Sequence, residues 1–382
     1  MNSSPFRFTL ADPELGPDAA RYLLECVEEG MISSQGRFVR QFETEFAAVC
    51  GVEHAVAVAN GTCALHLALV ALGIGPGDEV LVPSLTFIST ANAVVHAGAV
   101  PVFADVDPET LCVTPATLAP RLTSRTRALL PVHLLGQPCD MPALLDFARS
   151  RDLRVVEDAA EAHGAQFSGR PVGSFGDIAC FSFYANKIIT TGEGGLCVTR
   201  DASLAARMRL LRSHGMNPER RYWHDEIGFN YRMTNLQAAL GVAQMPHLLA
   251  WVARRRQIAR RYRELLAAQA TDLFFLDEPP ATRSACWMSA FFLRDAAQRD
   301  PLLAALSEAG VESRPLFSPI HLMPPYLQSP ALYLPVTEAM SARGVLLPSH
   351  TKLTDTHLAE IASLVAAALE RTAAPHSRRA HS

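Results

Sequence analysis

The stretch Ile178-Ala-Cys-Phe-Ser-Phe-Tyr-Ala-Asn-Lys-Ile-Ile-Thr-Thr-Gly-Glu-Gly-Gly-Leu-Cys-Val-Thr199 decides the fold. Two short, apolar, β-rich runs, 178–183 and 195–199, flank a lysine and a glycine-rich turn. Runs this apolar suit strands covered on both faces. Upstream, candidate strands recur at 55–59, 79–83, 100–104, 128–132 and 154–157, with helical patterns at 63–72, 89–97, 141–151 and 202–214 among them. Turn signals punctuate the series at Gly75-Pro-Gly-Asp78, Asp105-Val-Asp-Pro108 and Gly192-Glu-Gly-Gly195. Such alternation predicts an α/β fold with a mostly parallel central sheet covered by helices.

Beyond about residue 235 the pattern changes. Residues 236–245 and 251–268 read as helices, and a break follows at Asp277-Glu-Pro-Pro280. Elements at 291–293, 302–309 and 358–369 suggest a smaller C-terminal α/β unit. The expected division is a large domain over 1–245 and a small domain over 246–382, with the N-terminal ~30 residues able to pack on the small domain. The tail from Ala373 is expected to fray.

Composition narrows the function. The 382 residues are 49% hydrophobic, 19% charged and carry a net charge of −4, which gives no electrostatic case for nucleic acid or an anionic membrane. The start MNSSPFRFTLADPE lacks an apolar core behind a basic residue, and apolar runs elsewhere are short or interrupted. A soluble, cytoplasmic protein is expected. The eight cysteines form no CxxC pair and the thirteen histidines show no metal-ligand spacing, so no metal is expected.

Of the 34 basic residues only Lys187 and Lys352 are lysine. Where charge alone is wanted, this chain uses arginine. A retained lysine is then a candidate for chemistry that needs a neutral amine, which arginine cannot supply.

Three segments carry candidate chemistry. Asn60-Gly-Thr-Cys-Ala64 follows a strand and opens a helix, where backbone N–H groups and the Thr62 hydroxyl would suit a phosphate. Asn60 or Thr62 would equally serve as a plain N-cap. Val155-Val-Glu-Asp-Ala-Ala-Glu-Ala-His163 ends a buried strand, where α/β sheets bind ligands. Asp158 there would hold a cation such as a protonated pyridine nitrogen, or cap the next helix. Lys187 follows another buried strand in the least polar part of the chain; a surface loop is its other reading.

Taken together, Glu157-Asp-Ala-Ala-Glu-Ala-His-Gly164, the stretch from Ser182 to Gly195 and Ile227-Gly-Phe-Asn-Tyr-Arg-Met-Thr-Asn235 resemble the DegT/DnrJ/EryC1/StrS sugar aminotransferases. These are fold-type-I pyridoxal-phosphate enzymes. Within the family, His214-Gly-Met-Asn-Pro-Glu-Arg-Arg-Tyr-Trp223 and Ser313-Arg-Pro315 are most like the members that make GDP-perosamine.

The resemblance implies specific roles. Lys187 would carry pyridoxal phosphate covalently and move the proton, and Asp158 would pair with the ring nitrogen. Gly61, Thr62, Ser182 and the Cys63 N–H would bind the phosphate. Phe87 and Ala160 would cover the two ring faces, and Glu161 would lie near the phenolic oxygen. Asn230 would reach the cofactor of a second subunit, making a homodimer. Arg314 and His321 would line the nucleotide-sugar entrance. L-glutamate would be the amino donor and GDP-4-keto-6-deoxymannose the acceptor. Cys286-Trp-Met-Ser-Ala-Phe-Phe-Leu-Arg294 follows the family's usual strand only loosely. Rival readings are amination of a 3-keto sugar (mycosamine-type), a cyclitol or another ketone, or a non-catalytic regulator that keeps the fold.

Overall fold

The computed structural model describes residues 5–327 and 332–373. The expected fraying beyond Ala373 concerns 374–382, which lie outside the described residues.

Two helices lead the chain, α1 (Ala19–Glu28) and α2 (Arg37–Cys50). Then come β1 (His54–Val58), α3 (Gly61–Ala71), β2 (Glu79–Pro83), α4 (Ser89–His96), β3 (Val100–Ala104), α5 (Pro115–Leu118) and β4 (Thr126–Leu129). Next are α6 (Met141–Arg149), β5 (Arg154–Asp158), the short β6 (Gln166–Phe167) and β7 (Arg170–Pro171), β8 (Ile178–Ser182), β9 (Gly195–Thr199) and α7 (Ala202–Arg212). The last part holds α8 (Asn235–Gln244), α9 (Leu248–Ala267), β10 (Leu273–Phe274), β11 (Thr282–Arg283), β12 (Ser289–Leu293) and α10 (Arg299–Glu308). It closes with β13 (Arg314–Pro315), α11 (Pro335–Arg343), β14 (Gly344–Leu347) and α12 (Asp355–Ala373).

The main sheet has seven strands in the order β1-β9-β8-β5-β4-β2-β3. The pairs from β3 across to β8 are parallel, and β9 runs antiparallel to both its neighbours. Every residue of β2, β8 and β9 is buried, as expected for strands with helices on both faces. Phe42, Phe46, Phe181 and Phe183 belong to the core on the side of α2 and α8, and Val56, Leu67, Val80 and Met208 to the core on the side of α3 and α7. The switch in direction at β9 brings the ends of β1, β5 and β8 to the start of β9, and a crevice opens there.

A second sheet, β10-β12-β14-β13, packs its own core of Tyr262, Phe291, Leu302, Val345 and Ile361 against α9, α10 and α12. The N-terminal strand segment bonds to it: Phe8 exchanges backbone hydrogen bonds with Gly310 and Glu312, and Ser349 donates to the Leu10 carbonyl. Helices α1 and α2 lie outside the alternating stretch, so the strand–helix pattern did not outline them. α2 buries Phe38, Phe42 and Phe46 and ends on Gly51 at φ 64°, a left-handed stop that glycine adopts freely.

Candidate active site

A cavity of 740 Å³ opens at the crevice, lined among others by Gly61, Thr62, Phe87, Asp158, Ala160, Glu161, Ser182, Lys187 and Arg314. Its floor is the start of α3. Asn60 is extended and its side chain accepts from the Cys63 N–H at 2.9 Å, capping the helix. The Cys63 N–H expected to bind phosphate is therefore already committed to Asn60, and Cys63 does not line the cavity. The earlier N–H groups of the turn, at Gly61 and Thr62, have no acceptor within the helix by construction. The Thr62 hydroxyl donates to Ser89 Oγ at 2.9 Å, which adds a cavity-lining hydroxyl that sequence reading missed. A Cβ on Gly61 would sit 2.8 Å from Ser182 Cβ, and one on Gly195 would sit 2.4 Å from the Asn60 carbonyl oxygen. Both glycines are there because the loop, Ser182 and the strand converge on one small space.

Asp158 ends β5 with its carboxyl at the cavity. One oxygen accepts from Thr90 Oγ1 at 2.8 Å and the other from the Ala160 N–H at 3.2 Å. No helix begins at this turn, so the helix-cap reading does not hold. Burial raises the Asp158 pKa against these two donors, so the site favours a cation that would keep the carboxylate charged. Behind it, the fully buried Glu157 accepts from the amides of Gly173, Phe175 and Gly176 and meets His133 Nε2 at 3.1 Å. His133 Nδ1 accepts from the Cys139 N–H, so Nε2 carries the proton and donates. Burial alone would raise the Glu157 pKa, but the His133 hydrogen bond and these amides outweigh it and hold it low.

Lys187 reaches the cavity from the turn after β8. Its Nζ is 3.8 Å from Glu161 Oε1 and 3.8 Å from the centroid of the Trp287 ring. Burial lowers the lysine pKa, opposed by the Glu161 and Asp158 charges. Burial also pushes Glu161 up to about 7, against the pull of Lys187 and the Leu135 N–H. Each partner is drawn toward its neutral form. Desolvation therefore outweighs the attraction of the pair, as expected for buried ions whose removal from water costs several kcal/mol each.

The remaining expected residues divide into two groups. Phe87 and Ala160 line the cavity, Phe87 more than half exposed and 6.0 Å from the Phe317 ring. Arg314 lines it too and bonds Glu312 at 2.9 Å. His321 does not: it is buried under β2, with Nδ1 2.7 Å from Ser84 Oγ and Nε2 3.1 Å from Glu338 Oε1. Those two partners consume its polar atoms, so the expected place at the entrance is corrected. Asn230 is exposed, away from this chain's cavity, and accepts from Arg232. His163 lies under the sheet among Phe46, Phe181 and Phe183, where burial pulls it down to about 3. Trp287 and Leu10 line the cavity and were not anticipated.

The sequence model described as the DegT/DnrJ/EryC1/StrS aminotransferase family matches residues 13–366. The chain is 48% identical over 363 residues to the GDP-perosamine synthase of Caulobacter vibrioides, covering 94% of this chain and 97% of that one. It is 41% identical over 349 residues to the GDP-perosamine synthase of Escherichia coli O157:H7, covering 90% and 93%. Among solved structures, the aminotransferase TlmJ from Streptoalloteichus hindustanus superimposes with a TM-score of 0.91 at 34% identity, over 96% of this chain and 100% of that one.

The donor set fits pyridoxal phosphate. Helix-start N–H groups with the Thr62, Ser89 and Ser182 hydroxyls, a buried carboxyl in need of a cation and a buried amine of lowered pKa line one cavity. Among the described residues no group of histidine, cysteine or acidic side chains is arranged to hold a metal, and no helix is long and apolar enough to cross a membrane.

Proposed function

The chain belongs to the DegT/DnrJ/EryC1/StrS aminotransferase family, whose members depend on pyridoxal phosphate, and from that premise we propose that it transfers an amino group from L-glutamate to C4 of GDP-4-keto-6-deoxymannose, giving GDP-perosamine. What carries the reading is the pairing of the Lys187–Asp158–Ser182 cavity with identity of 41–48% to two GDP-perosamine synthases over nearly the whole chain.

In this reading, bound pyridoxal phosphate supplies an aldehyde and an electron-withdrawing ring that stabilises negative charge on the carbon next to the nitrogen. Gly61, Thr62 and Ser182 hold its phosphate. Asp158 would pair with its ring nitrogen and hold the proton there, because a buried anion favours a charged partner. Phe87 and Ala160, which line the cavity, would cover the two ring faces. Lys187 Nζ acts first as nucleophile and then as the base that takes and returns a proton at the reacting carbon. Its lowered pKa supports both roles, since only the neutral amine has a free electron pair. Glu161, its carboxyl fixed by the Leu135 N–H, would lie near the phenolic oxygen. The donor's keto acid leaves before the keto sugar is aminated, so kinetics should be ping-pong.

The exposed Asn230 supports a homodimer in which it reaches the phosphate site of the second subunit, and Arg314 at the cavity rim supports a role toward the nucleotide diphosphate. The cytoplasm, where nucleotide sugars are made, is the expected location. The test is a steady-state comparison of GDP-4-keto-6-deoxymannose with dTDP-linked keto sugars, with L-glutamate as donor. The GDP sugar should give the highest kcat/KM, and a higher value for a dTDP sugar would overturn the substrate.

A further inference from the structure

Trp287 takes part in no step above, yet it lies against the most reactive atom of the cavity. Its indole is buried and its ring centroid is 3.8 Å from Lys187 Nζ. Its Nε1–H donates to the carbonyl of Asn186, the residue before the lysine, at 2.8 Å. One side chain thus holds both the backbone and the tip of the lysine segment.

The indole is itself held from behind. The Trp287 N–H donates to the Leu135 carbonyl at 3.1 Å, and Arg255 Nη1 donates to the Trp287 carbonyl at 2.6 Å. Leu135 also gives its own N–H to Glu161 Oε2 at 2.7 Å. The same residue therefore places the ring on one side of Nζ and the carboxyl on another. Leu135 and Cys286 both have left-handed backbone, at φ 55° and 48°. Non-glycine residues seldom adopt that conformation without a surrounding structure that enforces it, and such strain gathers at functional sites.

We propose that Trp287 is a positioning residue whose ring face forms a seat for the Lys187 amine whenever that amine is not bonded to cofactor. A cation over an indole face within about 6 Å is attracted by the ring quadrupole. The seat favours the ammonium over the neutral amine. It opposes the burial that lowers the lysine pKa and keeps the long side chain from sampling the cavity. The other charged or titratable groups facing Lys187 are Glu161 and Asp158, which favour the ammonium, and Arg255, which disfavours it; His163 also lies close and is neutral. The inference rests on Lys187 as the reactive amine, but the geometry is open to measurement without turnover.

The chain's having only two lysines makes the test direct. Lysine labelled with ¹³C at Cε, incorporated into the full-length protein and stripped of cofactor, should give two methylene signals. Lys352→Arg identifies which is which. The Lys187 signal should lie upfield, displaced by the ring current of Trp287, and should return toward the Lys352 position in Trp287→Leu. In that variant Lys187 should titrate about one pH unit lower, as expected from losing a cation–π contact while keeping apolar cover. Trp287→Phe, which keeps a ring face, should restore most of both effects. Should Trp287→Leu fail to fold, tetrafluorotryptophan in the wild-type sequence weakens the ring face at nearly constant shape and should lower the Lys187 midpoint in the same direction. A wild-type Lys187 signal with no upfield displacement overturns the proposal. So does a titration midpoint that neither the leucine nor the fluorinated protein moves. Either result leaves the chemical role of Lys187 untouched, since covalent trapping of cofactor tests that separately.

Discussion

Lys187 and Lys352 are the same residue type in two settings, and the contrast between them holds most of the chemistry. Lys352 is 42% exposed and its Nζ pairs with Asp12 at 2.8 Å at the surface. Exposed pairs of this kind contribute about 0–1 kcal/mol. Lys187 is 10% exposed, sits in the turn after β8 and faces a ring and a carboxyl that burial pushes up to about 7. Placement in the fold, not the side chain, gives one lysine a solvated setting and the other a buried amine of lowered pKa.

The widest gap between the two should come from removing each in turn. Lys187→Ala should lose turnover by a factor on the order of 10⁴–10⁶, the scale for deleting a covalent nucleophile, while still folding. Lys352→Ala should keep wild-type kcat and change stability by less than about 0.5 kcal/mol. Steady-state assay and denaturant melts of both variants check this, and a Lys352 variant as inactive as the Lys187 one would erase the distinction.

Next in size is Asp158→Asn. It keeps the shape and the Thr90 contact but removes the buried charge. Activity should fall roughly 10²–10³-fold, as for the loss of one preorganised electrostatic contact in a buried site. An unaffected variant would reduce Asp158 to a turn residue. Gly61→Ala should follow, because its new Cβ would meet Ser182 Cβ at 2.8 Å. Overpacking of about 1–3 kcal/mol predicts a tenfold to hundredfold weaker cofactor, read by absorbance titration.

The smallest effect sharpens the electrostatic side of the contrast. Glu161 in its charged form favours the Lys187 ammonium. Glu161→Gln removes that anion, so Lys187 should lose its proton at lower pH than in wild type. Cofactor loading, which needs the neutral amine, should therefore be a few-fold faster in the variant above about pH 7, where the wild-type carboxyl is charged. Stopped-flow absorbance against pH reads this, and an acid limb that does not move would mean the carboxyl is neutral throughout.

The same contrast explains what was legible beforehand. The scarcity of lysine and the apolar strand before it pointed to Lys187 from composition and periodicity alone. Asp158 was likewise legible, since it sits at a strand end and strand ends are local features, whereas Ser182 entered only through the family resemblance; the seven strands of the large sheet lie within a few residues of their predicted bounds. What was not legible depends on contacts between distant parts of the chain or on backbone angles. Trp287 meets Lys187 across a hundred residues of sequence, through a turn whose left-handed Cys286 leaves no mark in residue pattern. The Cys63 N–H was misassigned because Asn60 could bind it or leave it free, and only the extended backbone at Asn60 decides. His321 was placed at the entrance by resemblance, yet Ser84 and Glu338, far away in sequence, draw it inside.

The most direct test is to reduce the protein with borohydride in the presence of pyridoxal phosphate, digest it and locate the adduct by mass spectrometry. The phosphopyridoxyl group should be found on the peptide that contains Lys187 and be absent from the one that contains Lys352. An unmodified Lys187 peptide, or label on Lys352 alone, would contradict the account.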